Sequence, residues 1–260
     1  MNLTKTLIYI PTFNDSNNIY NLLDGLNTIK FDFDILIVDD CSQDNNLEEI
    51  KNFFKNSDQN YNFILLQSIE NYGLAGSQKI AFDFFLSNTT CENLIILHGD
   101  GQYDPMQVNL FEKFFLKDFS IVQGKRSKRI FGKKDQTPII AYYAIKILNF
   151  YENFICRCKF AEWHSGFVYY KRSFISRLPI HNLINSPHID GNILYIGKLL
   201  NIKVTSVDIY KLYNEDHKYK KTYILKYFLS IFYLPIFFIF KNKNFFNYTK
   251  KNNLKTKIIN

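Results

Sequence analysis

Acidic side chains recur in the first half of the chain wherever a short apolar run ends. The four acids are Asp15, Asp39, Asp40 and Asp100. An aspartate after a strand often caps the next helix, and we expect Asp44 to do so, but capping explains four acids after three strands poorly. A cleft lined by carboxylates suits an anion that arrives with a divalent metal, or the hydroxyls and base of a nucleotide. The pattern therefore predicts a binding site at these strand ends.

The segment HGDGQYDP contains three side chains that could bind a metal, His98, Asp100 and Gln102. In an extended segment alternate residues point the same way, so these three could face one ion. Carboxylate and amide oxygens suit Mg²⁺ or Mn²⁺, and Gly99 and Gly101 would let the backbone approach a diphosphate closely. No G-x-G-x-x-G follows the first strand and no G-x-x-x-x-G-K-[ST] occurs, which disfavours dinucleotide and P-loop sites.

Short apolar strands alternate with amphipathic helices in the first half of the chain. This pattern predicts an α/β fold with a mostly parallel central sheet flanked by helices. Strands are predicted at residues 7–11, 34–38, 63–66, 94–97, 120–123, 166–170 and 204–210, and helices include 73–86, one opened by Pro105, 137–154 and 190–200. Ligands of such sheets bind beyond the carboxyl ends of the strands, where the four acids lie.

The net charge of +8 comes from the C-terminal region. Ten lysines and no acid follow Asp216, so residues 1–216 sum to 8 − 10 = −2. A basic domain would indicate nucleic acid, whereas a nearly neutral domain with a basic tail beside an apolar run indicates an anionic membrane surface as partner. We expect one compact domain over 1–216 and an apolar, basic, helical tail over 217–260.

The tail contains an uncharged apolar run at residues 227–240. The run is shorter than the about 20 residues of a spanning helix and contains Pro235. Lys226, Lys241 and Lys243 could reach a bilayer interface, so a monotopic membrane contact is favoured over a helix packed on the domain or between two copies. Residues 244–260 are rich in Asn and Lys, and we expect them to be flexible.

The order of seven motifs resembles the family 2 glycosyltransferases of the GT-A fold. In sequence order the motifs are IPTFND, IVDDCSQD, NYGLAGSQKIAF, ILHGDGQYDP, GKRSKR, EWHSGFVYYKR and HIDGNIL. The resemblance spans about residues 6–215 and is closest to the branch of polyprenyl-phosphate sugar synthases such as dolichyl-phosphate mannose synthase. It implies an inverting, metal-dependent transfer of a sugar from a nucleoside diphosphate sugar to a lipid-phosphate or cell-surface glycan acceptor.

The resemblance also implies which residues bind the donor. Those at the nucleotide are Pro11, Phe13, Asp15, Val38, Asp39 and Asp40, where Phe13 stands for the usual Tyr and Asp15 for the usual Glu. His98, Asp100 and Gln102 match the D-x-D-x-Q segment that holds the metal and the diphosphate, around Gly99. His98 replaces the first Asp, and imidazole suits Mn²⁺ better than Mg²⁺. His98 is therefore either a metal ligand or a hydrogen-bonding residue.

On the acceptor side, the resemblance assigns Arg126 and the segment around His164. Arg126 would hold the acceptor phosphate or the donor diphosphate, because Arg binds phosphate oxygens bidentately. The E-x-H-S-G segment supplies Glu162, His164, Ser165 and Gly166. The single Trp, Trp163, is expected to pack in the core rather than on a sugar. Asp190 is either a helix cap or the general base, with His164 as the second candidate base.

Two other functions remain open at the level of the sequence. The substitution at His98 would fit a non-catalytic nucleotide-sugar binding or scaffold protein. A sugar nucleotidyltransferase also uses acids and a metal in an α/β cleft, but it would need a Gly-rich basic loop after the first strand, which IPTFND is not. Four cysteines without paired spacing and an N-terminus without a signal-peptide pattern predict a cytoplasmic protein, peripheral on the inner face of the cell membrane.

Overall fold

The structure, a computed structural model, describes residues 5–56, 61–126, 137–212, 221–240 and 254–259. Its strands are β1 Thr6–Thr12, β2 Phe33–Asp39, β3 Phe63–Ser68, β4 Asn93–Ile96, β5 Ile121–Arg126, β6 Val168–Lys171, β7 Val204–Ile209 and β8 Thr256–Ile259. Its α-helices are α1 Ser16–Gly25, α2 Asn46–Asn56, α3 Gly73–Asn88, α4 Ile139–Cys156, α5 Arg172–Ile175, α6 Ile189–Leu199 and α7 Lys221–Phe240. Short 3₁₀ helices cover Leu26–Thr28, Pro105–Phe114 and Ile180–Asn182.

The strands form one sheet in the order β7-β5-β6-β4-β1-β2-β3-β8. The pairs β1–β2, β1–β4, β2–β3 and β5–β7 are parallel, whereas β6 runs antiparallel to β4 and β5, and β8 antiparallel to β3. The predicted α/β class and mostly parallel sheet are therefore confirmed. The reversal at β6 brings the start of that strand to the edge where β4 and β5 end.

Both faces of the sheet are buried, because successive residues of a strand point to opposite sides. In β1, Tyr9 lies in one apolar cluster together with Phe82 and Phe85 of α3. Ile8 and Ile10 lie in a second cluster, which includes Ile19 of α1. The near-continuous apolar runs in the sequence follow from this two-sided burial.

The C-terminal region departs from the sequence predictions in two ways. Residues 254–259, which we expected to be flexible, include β8, which pairs with β3 at the edge of the sheet. The apolar run, which a proline would be expected to interrupt, is helical throughout, and Pro235 lies inside α7. One face of α7 is buried through Ser230, Ile231 and Leu234, while Phe228 and Leu229 on another face are exposed. The boundary predicted near residue 216 lies outside the described residues, as do residues 241–253.

Among the described residues, no helix is both long enough and apolar enough to cross a membrane. Two local predictions changed in detail. The helix opened by Pro105 is a 3₁₀ helix, and the strand predicted at 120–123 extends to Arg126 as β5, so it includes the first three residues of GKRSKR. Residues 127–136, which include the rest of GKRSKR, lie outside the described residues.

Asp44 caps two helices at once, as its position after β2 suggested. Its carboxylate accepts hydrogen bonds from the backbone N–H of Asn46, which begins α2, and of Ser16, which begins α1, at 3.1 and 3.0 Å.

We predict that Asp44→Ala lowers the free energy of unfolding by about 2 kcal/mol, the upper end for one cap, because two helix ends lose an acceptor. Asp44→Asn should recover part of the loss in urea unfolding, and an unchanged midpoint for Asp44→Ala would contradict the double cap.

Candidate active site

Three neighbouring parallel strands, β4, β1 and β2, end together and form the floor of the candidate site. The backbone continues the pairing beyond the strands, since Asp40 N donates to Thr12 O at 3.0 Å and Gly99 N donates to Pro11 O at 2.9 Å. A Cβ on Gly99 would lie 2.9 Å from the Thr12 side chain, so only glycine allows this close approach. The segments that carry the four predicted acids therefore converge at one edge.

Side chains at the ends of β1 and β2 are joined by a chain of hydrogen bonds. Asp15 Oδ2 accepts from Thr12 Oγ1 and from the backbone N of Phe13, both at 3.0 Å. Asn46 links the two strand ends, with its Oδ1 3.2 Å from Thr12 Oγ1 and its Nδ2 donating to Asp39 Oδ1 at 2.8 Å. Phe13 is 42% exposed at the rim, whereas Pro11 and Val38 are buried in their strands.

Asp40 holds the start of α3 in place. Its two carboxylate oxygens accept from the backbone N–H groups of Tyr72 and Gly73, at 2.8 and 2.7 Å. Burial raises the pKa of Asp40, and these backbone donors act in the opposite direction. Asp40 therefore caps a helix, which is one of the two roles that the sequence allowed for acids after strands. Its role in binding the donor stays a prediction.

The segment from His98 to Gln102 is a turn and not the extended strand that the sequence suggested. Gly101 has a φ of +71°, and Asp100 Oδ1 accepts a hydrogen bond from the backbone N of Gln102 at 3.0 Å. The alternation of side chains in an extended strand therefore does not apply to His98, Asp100 and Gln102. Asp100 is half-buried, and Gln102 is buried with its side-chain Oε1 making no hydrogen bond within the protein.

These residues fit a divalent metal by their chemistry. A buried amide oxygen without a donor, such as Gln102 Oε1, is a suitable hard ligand, and the Asp100 carboxylate is another. Burial lowers the pKa of His98, although Asp100 and Asp190 lie close enough to oppose the shift. A neutral imidazole can bind Mn²⁺. The assignment of His98, Asp100 and Gln102 as ligands remains a prediction.

The acceptor-side segment reaches the same edge because β6 runs antiparallel to β4. Gly166 packs against His98, and a Cβ at Gly166 would lie 2.4 Å from His98 Nε2. Arg126, at the end of β5, donates from a terminal guanidinium nitrogen to the carbonyl oxygen of His164 at 2.8 Å. The Ser165 hydroxyl is turned inward and accepts from Phe167 N at 3.2 Å.

Two residues of this segment serve the packing of the domain. Trp163 is fully buried, packs against Tyr195 with ring centroids 4.8 Å apart, and donates from its indole N–H to Asn153 Oδ1 at 3.0 Å. It is a core residue, as expected. Glu162 is buried and accepts from the Asn149 side chain at 3.2 Å and from the backbone N of His164 at 3.1 Å, so it orders the turn.

Asp190 lies in the first turn of α6 and is buried next to the site. Its Oδ1 accepts from Gln78 Nε2 at 3.0 Å and from the Tyr170 hydroxyl at 3.2 Å. Burial raises the pKa of Asp190, and nearby His98 and His188 oppose the shift. A carboxylate whose pKa is raised accepts a proton more readily than a carboxylate with the ordinary pKa.

Glu152, His164 and His188 form a buried cluster that sequence reasoning missed. Glu152 Oε1 lies 2.8 Å from His188 Nε2 and accepts from the Tyr195 hydroxyl at 2.7 Å. Glu152 Oε2 lies 3.1 Å from His164 Nε2 without hydrogen-bond geometry. The Tyr227 hydroxyl of α7 lies 2.8 Å from His164 Nδ1. Both ring nitrogens of His164 therefore face protein groups, which favours Asp190 over His164 as the base.

The ligand atoms of this cluster all lie within 4.8 Å of one another, so it could also hold a metal ion. Two imidazoles and one carboxylate are a known ligand set for Zn²⁺. Nothing in the local sequence indicates the cluster, because Glu152, His164 and His188 come from α4, the segment before β6 and the start of α6. The EWHSGF motif identified His164 alone.

The sequence of this chain matches the family model described as "Glycosyl transferase family 2" over residues 7–178. The match covers well over half of the chain, and the chain belongs to this family. It is also 31% identical over 99 residues to the uncharacterized protein MJ0544 of Methanocaldococcus jannaschii, a stretch that makes up 38% of this chain and 42% of that protein. The chain thus matches less than half of that relative's length.

Solved structures share the fold at low sequence identity. The mannosyltransferase PcManGT from Pyrobaculum calidifontis, in complex with GDP-Man and Mn²⁺, has a TM-score of 0.64 at 14% identity over 90% of this chain and 64% of its own. Glucosyl-3-phosphoglycerate synthase from Mycobacterium tuberculosis, with Mn²⁺, UDP and glucosyl-3-phosphoglycerate, has a TM-score of 0.58 at 11% identity over 98% and 86%. The GT-A fold expected from the motifs is therefore confirmed.

The buried cluster predicts a strong stability effect at Glu152. Burial alone would raise the pKa of its carboxyl group, but the imidazoles of His188 and His164 bring it to about 2. Glu152→Gln should lower the free energy of unfolding by about 3 kcal/mol, because it removes one partner of a buried ionic group. The pKa of Glu152 in the folded state lies below the ordinary value of 4.5. The difference in free energy of unfolding between the wild type and Glu152→Gln should therefore have its full size above about pH 5 and disappear as the pH falls towards 2.

Urea unfolding of both proteins across this pH range measures the effect. Asp24→Asn, at an exposed acid of α1, is the matched control and should leave stability unchanged. A difference that persists at the acid end would contradict the role of the carboxylate charge. A chelator that lowered the melting temperature of the wild-type protein but not of Glu152→Gln would instead assign the cluster to a bound metal.

Proposed function

We propose that the chain transfers a sugar from a nucleoside diphosphate sugar to an acceptor, with inversion at the anomeric carbon. The observation that carries the proposal is the convergence of Asp15, Asp39, Asp100 and Arg126 at one edge of the sheet. Membership of glycosyl transferase family 2 supports it. The two similar structures described above hold GDP-Man or UDP together with Mn²⁺, which supports a nucleotide sugar and a divalent metal here.

In the proposed reaction, an acceptor oxygen forms a bond to the anomeric carbon while the bond from that carbon to the β-phosphate oxygen breaks. The electron pair leaves with the diphosphate. Asp100 and Gln102, with or without His98, would hold the metal, and a bound Mg²⁺ or Mn²⁺ neutralises charge on a diphosphate. Arg126 would add a fixed positive charge at the same side. A hydroxyl acceptor would lose its proton to Asp190, whereas a phosphate acceptor needs no base.

A lipid-phosphate acceptor is favoured over a glycan by the charges on the acceptor side. A small cleft opens between the end of β5 and α4, and Lys125, Arg126 and Lys146 line it together with Glu162. Lys125 pairs with Asp208 at 2.9 Å, and Arg126 and Lys146 are the other two cations that line this cleft. A phosphate group carries a charge of nearly −2 at neutral pH and would be attracted to this cleft.

Such an acceptor would be embedded in a bilayer, so the protein would work as a peripheral protein on the inner face of the cell membrane. The basic, apolar tail predicted over 217–260 would contact an anionic surface there. Lys226 is exposed on α7. Five further lysines lie within or beside α7 in the sequence, at 218, 220, 221, 241 and 243, and the sequence contains no acidic residue after Asp216.

The metal assignment predicts that Asp100→Asn lowers sugar transfer about a hundredfold or more, because charge stabilisation at a leaving diphosphate is a large catalytic contribution. His98→Asp should keep activity and shift the preference from Mn²⁺ towards Mg²⁺. Release of nucleoside diphosphate from a panel of GDP- and UDP-sugars, with each metal and a short polyprenyl phosphate, measures both effects. Circular dichroism and melting curves check that the variants fold.

Wild-type turnover in Asp100→Asn would refute this metal site. Binding of a sugar nucleotide without turnover under any metal and acceptor would favour the non-catalytic binding protein instead. Release of pyrophosphate from a sugar phosphate and a nucleoside triphosphate would favour the nucleotidyltransferase.

The donor assignment predicts that Asp39→Ala weakens nucleotide binding. A hydrogen bond to a charged group contributes about 1.5–3 kcal/mol, so the dissociation constant should rise roughly ten- to a hundredfold. Asp40→Ala would also free the start of α3; Asp39→Ala loses the bond from Asn46, so melting curves accompany its binding measurement. Calorimetry with GDP and UDP measures the affinity, with Asp24→Asn as the control. Wild-type affinity in Asp39→Ala would refute the assignment of the nucleotide to the end of β2.

A further inference from the structure

Helix α4 carries an apolar face that no described part of the chain covers. Of its eighteen residues, only Glu152 and Cys156 are buried. Large apolar side chains at helical spacing form an exposed stripe. The stripe consists of Ile140, Tyr143, Ile147, Phe150 and Phe154, which are 84%, 62%, 68%, 72% and 74% exposed. Exposed apolar surface of this extent on a helix marks an interaction site.

Helix α7 extends this surface. Tyr151 of α4 and Phe232 of α7 pack with ring centroids 5.3 Å apart, so the two helices lie side by side. The α7 residues Leu225, Phe228, Leu229 and Phe232 are 59%, 43%, 60% and 49% exposed. The stripe and these four residues are called the α4–α7 face below. The sequence had indicated a membrane contact for the α7 part alone.

The charges around the α4–α7 face select its partner. The only acid in the two helices is Glu152, which is buried in the cluster with His164 and His188. Lys146 of α4 and Lys226 of α7 are exposed, and more lysines flank α7 in the sequence. A two-fold contact between copies of this chain would bring like charges together, whereas an anionic lipid surface would attract them. Aromatic and basic side chains around aliphatic ones are typical of helices that lie in a bilayer interface.

We propose that the α4–α7 face docks this protein on an anionic bilayer, with both helices lying in the interface. This inference deepens the proposed function, and its acceptor part rests on that function. Glu152 on α4 and Tyr227 on α7 both contact His164 of the acceptor-side segment. The cleft lined by Arg126 and Lys146 also opens beside α4. The docked face would therefore place that cleft next to the headgroups, where a lipid phosphate is presented.

The test compares full-length variants in flotation with vesicles of equal parts phosphatidylcholine and phosphatidylglycerol, without donor or acceptor. The double variant Ile147→Glu/Phe150→Glu should lose at least about tenfold in partition, because two side chains no longer leave water for the apolar interface. Leu116→Glu, at a residue that is 65% exposed and lies between the 3₁₀ helix Pro105–Phe114 and β5, is the matched control and should bind as the wild type does. Lys226→Glu should weaken binding about fivefold or more at low salt and less at high salt.

Each result decides the matter. Equal flotation of the double variant and the wild type would overturn the docking face. Failure of the wild-type protein to float with the vesicles would also overturn it. Light scattering would then distinguish a dimer, which the double variant should dissociate, from a monomer. Binding to vesicles combined with absence of sugar transfer would keep the docking face and reject the proposed function, so the two can fail separately.

Discussion

The parallel pairing of β1 with both β2 and β4 is the constraint on which the rest of the structure depends. Since all three strands run the same way, the segments after them must leave the sheet at one edge, and the backbone bonds from Asp40 to Thr12 and from Gly99 to Pro11 hold these segments together. The antiparallel β6 then turns the chain back, so that Gly166 meets His98. The segments predicted to bind the donor and the acceptor are therefore brought together by strand direction.

The acids at this edge serve the scaffold as well as the predicted site. Asp40 anchors the start of α3, Asp44 the starts of α1 and α2, and Asp15 the turn after β1. Hydrogen bonds of this kind fix loops that would otherwise need ordering when a ligand binds, which is the physical meaning of preorganisation. An ionised carboxylate offers about four lone pairs on its two oxygens, so it can orient the backbone and still accept a hydrogen bond from a ligand.

The sequence predicted the strands of the first half well, because two-sided burial leaves continuous apolar runs that are easy to read. It also placed Asp15, Asp39 and Asp100 correctly at strand ends. It failed for the His98–Gln102 segment, since Gly101 adopts a positive φ that converts an apparent extension into a turn. It failed for β8, whose residues Thr256–Ile259 alternate too little to be recognised. The cluster of Glu152, His164 and His188 could not be predicted, because only the tertiary fold brings these residues together.

Strand β8 gives this protein an unusual order of assembly. Its partner β3 is complete early in the chain, yet Leu65 pairs with Ile259, which lies far along the chain. Closing so long a loop is entropically costly and slow compared with the local βα units. On the ribosome, the part of the sheet formed by β1 to β4 would therefore form while the edge of β3 is still bare, and an unpaired edge is a template for association with other chains. The nascent protein would therefore pass through a stage in which the edge of β3 is open to such association until β8 pairs with it.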